Sequence, residues 1–192
     1  MARARMSYDT KTNEKIAAAF LEVLSQKPLA SMSVAEVARA ANMSRSTFYA
    51  HYNNLSEVFD ELVASLAKES ASIERALFGP RKGCLDSEAA CRKPTFCGNL
   101  RSDSRFALLA KEPRFLTTFL GIAGSEQAEH NNLIRCLMEK GLDSQQAYAV
   151  YFFQMSGCFA ASILMGLDDA QWEHAREGID RFIRSGMTLG QR

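Results

Sequence analysis

Apolar residues Ile16, Ala19, Phe20, Val23 and Leu24 recur at i, i+3, i+4, i+7 and i+8, the spacing that lays one apolar stripe along a helix. Pro28 stops the pattern, which predicts a helix over roughly 11–26. Ser33-Val34-Ala35-Glu36 has the form of a capping box, in which Ser and Glu satisfy the free backbone donors of a helix start, and Val34, Val37 and Ala38 then face inward. This second helix ends near Ala40. In the following Ala41-Asn42-Met43, Asn suits the left-handed conformation of a tight turn. Ser44 can cap a third, short helix that runs to about Tyr52 and buries Phe48. Asn54, with Glu57 three residues on, can cap a fourth, in which Val58, Leu62, Leu66, Ile73 and Leu77 keep helical spacing until Gly79-Pro80.

Residues 79–104 are the least regular part of the chain, with a helical stretch expected at Leu85–Lys93. Beyond them Arg105–Lys111, Pro113–Ile122 (with Pro at a first helical position) and Glu126–Lys140 read as helices, closed by Pro113, Gly121/Gly124 and Gly141. Gln145–Met165 is apolar nearly all round, and Asp169–Ser185 is amphipathic through Trp172, Ala175, Ile179, Phe182 and Ile183. No period-two strand, repeat or low-complexity tract interrupts this series. The expected fold class is all-α.

One stretch has two readings. Ala147–Leu167 carries no charge over a length that could cross a bilayer. It also contains Gln154, Ser156, Gly157 and Ser162 and is followed by an amphipathic helix, as a helix buried in a dimer would be. Gly157 and Ala161, four apart, allow close helix approach in either setting.

Composition narrows the function classes. With 47% apolar and 23% charged residues, the 192-residue chain is globular, either one mid-sized domain or a small module on a larger one. The net charge of +1 hides an asymmetry: residues 1–53 hold seven Lys and Arg (Arg3, Arg5, Lys11, Lys15, Lys27, Arg39, Arg45) against four acids, a net +3, and the other 139 residues are net −2. The opening Met-Ala-Arg-Ala-Arg-Met-Ser-Tyr lacks the apolar core of a signal peptide, and the five cysteines are an odd count at ordinary density. A reduced, cytoplasmic protein is expected. The chain has no Gly-rich phosphate loop, no Gly-x-Ser-x-Gly elbow and no His-Glu-x-x-His, and His51, His130 and His174 lie far apart. Neither catalysis nor a cofactor is expected.

Two short helices joined by a tight turn, the second exposing small polar and basic side chains, form a helix-turn-helix, whose second helix enters the major groove of DNA. Residues 33–52 have this layout. The run Ser44-Arg45-Ser46-Thr47-Phe48-Tyr49-Ala50-His51-Tyr52 offers a guanidinium for guanine edges, hydroxyls for bases or phosphates, and a ring for thymine methyls. The stretch Ser33–Tyr52, with Val58 on the helix that follows, resembles the DNA-binding signature of the TetR/AcrR family of transcriptional regulators. The resemblance covers about residues 11–63 and is strongest in Ser-Arg-Ser-Thr-Phe-Tyr-x-His-Tyr.

The resemblance implies a homodimeric repressor that binds a palindromic operator. An N-terminal three-helix DNA-binding domain (8–53) would be followed by a helical effector-binding and dimerisation domain (54–192). Arg45, Ser46 and Tyr49 would face bases, and Ser33, Ser44, Thr47 and His51 would contact phosphates. It also favours the dimer reading of the uncharged helix, with Gln145–Met165 and Asp169–Ser185 forming a four-helix interface and no membrane span. Two departures stand out. Asn42 occupies a turn position that is commonly Gly, and Leu55 stands where many members carry a phosphate-binding Lys, so that Asn53 or Asn54 would substitute with neutral hydrogen bonds. Arg3 and Arg5 could reach an adjacent minor groove or stay a solvated tail.

Phe106, Phe115, Phe119, Tyr148, Phe152 and Met155 could line a largely apolar pocket for a weakly charged small effector whose binding releases DNA. The rival is a helical thiol- or metal-sensing module using Cys84, Cys91 and Cys97, whose basic neighbours Arg81, Lys82, Arg92 and Lys93 favour thiolate. Their spacing is wider than that of usual zinc motifs and no His lies nearby, so no metal site is expected. Cys136 and Cys158 fall on apolar helices as small core residues.

Overall fold

The stripe of Ile16, Ala19, Phe20, Val23 and Leu24 is buried throughout, and it lies on α1, Ala2–Gln26. In the computed structural model, which describes residues 2–78, 101, 103–127, 132–139 and 141–188, α1 therefore begins well before the apolar periodicity does. Ala, Arg and Met are strong helix formers, so helix propensity favours this extension. Arg3 and Arg5 accordingly sit on a helix rather than in a tail.

After Pro28 a 3-10 turn, Leu29–Ser31, leads into α2, Val34–Ala40. Ser33 and Glu36 form the expected capping box. The turn after α2 has a definite geometry. Asn42 takes φ +53°, its N–H donates to Arg39 O at 3.0 Å, and the Met43 N–H donates to Ala38 O at 2.9 Å. This is the Schellman arrangement, which needs a left-handed residue just past the helix end, and Asn tolerates that conformation better than most residues with a β-carbon. Next come α3, Arg45–Tyr49, and α4, Leu55–Phe78, whose third amide (Glu57 N) donates to the Asn54 side chain at 3.0 Å.

Further along are α5 (Ser104–Leu109), α6 (Phe115–Gln127), α7 (Asn132–Glu139), α8 (Ser144–Phe159) and α9 (Asp169–Thr188). Several boundaries differ from expectation, among them the start of the helix expected over Glu126–Lys140, whose first residues Glu126 and Gln127 belong to α6. Pro113 lies in the turn before α6 instead of opening it. Neither Gly121 nor Gly124 stops α6, because a helical Gly costs only about 1 kcal/mol relative to Ala while the same helix buries Phe115 and Phe119. The expected helix over Gln145–Met165 is α8 followed by a π-helical turn, Ala160–Leu164, in which the Met165 N–H reaches Ala160 O. Gly141 closes α7 as expected, at φ +98°. Among the described residues there is no strand, and no helix is long and apolar enough to cross a membrane.

The chain divides into two compact units. The first comprises residues 1–66 and 108–118, with a core of Phe20, Phe48, Phe59, Val63, Leu109 and Phe115. The second comprises residues 67–107 and 119–192 and buries Phe106 against Phe119, with ring centres 5.8 Å apart, together with Ile134, Leu137, Tyr151 and Trp172. Within it the Arg105 guanidinium is forked between Asp103 and Glu69, which holds the Asp103 carboxyl below its usual range. Arg101 lies over the Trp172 ring and donates to Leu167 O at 2.9 Å. The expected stretch Leu85–Lys93, the cysteines Cys84, Cys91 and Cys97, and His130 lie outside the described residues.

Candidate nucleic-acid interface

Phe48 anchors α3 in the core. It is fully buried, Tyr49 meets its ring edge-on at 5.7 Å, and Tyr52 packs at 5.9 Å. With one side of this short helix fixed inward, the other faces solvent: Arg45, Ser46 and Tyr49 are exposed, Tyr49 by 56%, and Thr47 and His51 are half-buried. Ser44 organises the helix start. Its Oγ accepts from Thr47 N at 3.0 Å and lies 2.8 Å from Thr47 Oγ1 and 2.7 Å from Ser46 Oγ, so three hydroxyls form one polar corner.

The element before α3 is braced by charge. The Ser33 N–H and hydroxyl both donate to Glu36, at 2.9 and 2.7 Å, and the Lys27 ammonium pairs with the same carboxylate. Lys27 first and Ser33 second hold the Glu36 carboxyl well below the usual carboxylate range, at about 2. A depressed folded-state pKa contributes stability that is complete above the unfolded value of 4.5 and is lost as the pH falls towards 2. The difference in melting temperature between the wild type and Glu36→Ala should therefore hold steady above pH 5 and narrow from there to pH 2. A difference independent of pH would contradict this origin.

After α3, Asn53 donates from both its backbone and side-chain nitrogens to Glu57, each at 2.8 Å, and this holds the Glu57 carboxyl down. Burial and a hydrogen bond to Glu61 push the Tyr52 phenol up. Leu55, which departs from the phosphate-binding Lys of similar sequences, is buried and serves packing here. Asn54 caps α4, as its spacing from Glu57 predicts, and Asn53 is engaged by Glu57. The structure thus brings Ser44, Arg45, Ser46, Thr47, Tyr49 and His51 together on one helical turn and its flank. Ser33 starts the preceding helix and Asn53 precedes the next.

Residues 16–62, the three-helix segment just described together with the start of α4, match the model of the family described as bacterial regulatory proteins, tetR family. This segment is a DNA-binding domain of the TetR family. Comparison with curated proteins finds no match. TetR-family regulators are generally non-enzymatic DNA-binding proteins, and among the described residues no cluster of His, Cys, Asp and Glu could hold a metal ion.

The residues considered for an effector are spread differently. Phe106 and Phe119 are buried against each other, Tyr148 and Phe152 are half-buried on α8, and Phe115 is buried in the first unit. The Met155 side chain lies outside the described residues. Two further residues were not singled out by the sequence. Glu112 Oε1 accepts from Leu29 N at 2.8 Å, and Arg114 Nη2 donates to Ser56 O at 3.0 Å and Asp60 Oδ1 at 2.7 Å. Their partners lie far away in the chain, and no local pattern announces such pairs.

Proposed function

We propose that this chain is a TetR-family repressor that binds a palindromic operator as a homodimer and is released by a small, apolar, weakly charged effector. The DNA-binding domain is residues 8–53, and residues 54–192 bind the effector and dimerise. Arg45, Ser46 and Tyr49 meet base edges, and Ser33, Ser44, Thr47, His51 and Asn53 meet phosphates. The observation that carries this reading is the exposed Arg45–Tyr49 face on a helix anchored by Phe48. Such a face fits the major groove, where Arg pairs with guanine.

Dimerisation through Gln145–Met165 and Asp169–Ser185 is supported by Phe153, 71% exposed on α8, and by Met165, 60% exposed just beyond the π turn. The effector reading rests on the aromatic residues Phe106, Phe119, Tyr148 and Phe152 of the second unit, and a ligand that favours the DNA-free arrangement would act through its differential affinity.

Selection from a pool of random duplexes should enrich two copies of one half-site in inverted orientation, as two-fold symmetry requires. Enrichment of lone half-sites, or of none, would contradict the reading. A β-carbon at Gly157 would meet nothing within 4 Å in the single chain. Gly157→Glu should therefore fold but sediment as a monomer at micromolar concentration, where the wild type sediments as a dimer. A monomeric wild type would refute the proposed interface.

A further inference from the structure

We propose that Glu112 and Arg114 are positioning residues for DNA binding, acting from outside the helix-turn-helix on the two connections that flank it. Both lie on the turn between α5 and α6, within the stretch 108–118 that belongs to the same compact unit as residues 1–66. Leu109 and Phe115, on either side, are fully buried and seat this turn in that unit.

Glu112 accepts the N–H of Leu29, the first residue of the 3-10 turn between α1 and α2. That connection leads directly to Ser33, and the Lys27–Glu36 pair ties its start to the first turn of α2. Arg114 holds the other flank. Its guanidinium stacks over the Phe59 ring at 4.6 Å, and Nη2 donates to both Ser56 O and Asp60 Oδ1 in the first two turns of α4. A charged group that bridges a backbone carbonyl and a carboxylate while stacked on a ring is a specific clamp, one that a shorter or non-planar cation cannot reproduce in full.

The chain thus grips the helix-turn-helix at its entry by an acceptor and at its exit by a donor, while α2 and α3 carry neither residue. Angular freedom of α3 is limited by where its two connections are held, so loosening either lets the Arg45–Tyr49 face wander from the groove. This proposal rests on the reading that Ser33–Asn53 binds DNA.

The test uses the full chain, a duplex that the wild type selects from a random pool, and hydrogen exchange without DNA. Glu112→Ala and Arg114→Ala should each weaken binding by about tenfold or more, the scale of losing a hydrogen bond to a charged group. The slope of log affinity against log salt should stay at the wild-type value, because neither residue touches phosphate. Glu112→Gln, whose carboxamide oxygen still accepts from Leu29, should restore most of the affinity, and Arg114→Lys should restore part. Exchange should quicken over 29–36 in Glu112→Ala and over 53–60 in Arg114→Ala, with α8 unchanged.

Three results would overturn the proposal: faster exchange with undiminished affinity, which leaves a structural role only; a salt slope that falls by about 0.9 in Arg114→Ala, which makes Arg114 a phosphate contact; or Glu112→Gln as weak as Glu112→Ala. If an alanine variant does not fold, the Gln and Lys variants carry the same comparison. A wild type that selects no duplex ends the underlying reading and this proposal together, whereas selection with no loss in the variants ends only the proposal.

Discussion

Replacing Phe48 by Ala should cost about 3–5 kcal/mol, the range for removing a buried aromatic ring whose site collapses only in part. Phe48 is fully buried on a helix of five residues, Arg45–Tyr49, which has too few turns to persist by propensity. Its ring meets Tyr49 and Tyr52, so deletion also frees the aromatic residue on the exposed face and the one whose hydroxyl bonds Glu61. Against a domain stability of about 5–15 kcal/mol this is a large fraction. Urea unfolding followed by helical circular dichroism should show the loss in the transition of the N-terminal unit, and sequence-selective binding should disappear with it. A loss under about 1 kcal/mol would mean that Phe48 does not anchor α3.

Arg45→Ala addresses recognition rather than folding. The residue is exposed at the start of α3, so truncation should leave stability within about 0.5 kcal/mol. On the selected site it should lose about 1–3 kcal/mol of affinity and relax preference at one base position, as expected when a bidentate contact to guanine is removed. Thr47→Ala, at the hydroxyl corner with Ser44 and Ser46, should weaken all sequences alike. Equal losses on specific and random duplexes for Arg45→Ala would remove that residue from base readout.

Local signals explain how much of this was legible beforehand. The capping box at Ser33 and Glu36, the left-handed Asn42, the Ser44 cap and the buried Phe48 each depend on residues within a few positions of one another, and each is present in the structure. Asp143 and Gln146 form a second capping box at the start of α8, a signal of the same kind that the uncharged helix behind it obscured. The early start of α1 and the passage of α6 through Gly121 went the other way, because periodicity marks only the part of a helix that packs, and tertiary burial outweighs one unfavourable residue.

The burial of Leu55 and the grip of Glu112 and Arg114 have a different cause. A leucine at a helix start reads equally well as exposed or packed, and pairings such as Leu29 with Glu112, 83 residues apart, arise only once the chain is folded. For the same reason the exposed face of α3 could be named in advance but not the contacts that hold it still.

The most direct test of the central claim is a competition gel shift with DNA from upstream of the protein's own gene, labelled and challenged with unlabelled self or with a scrambled duplex of the same composition. Reading by the Arg45–Tyr49 face predicts that self-competition displaces the complex at concentrations at least a thousandfold lower than scrambled DNA does, on the order of the usual gap between specific and non-specific binding. Equal displacement by both, or no complex at all with this or any selected duplex, would contradict it.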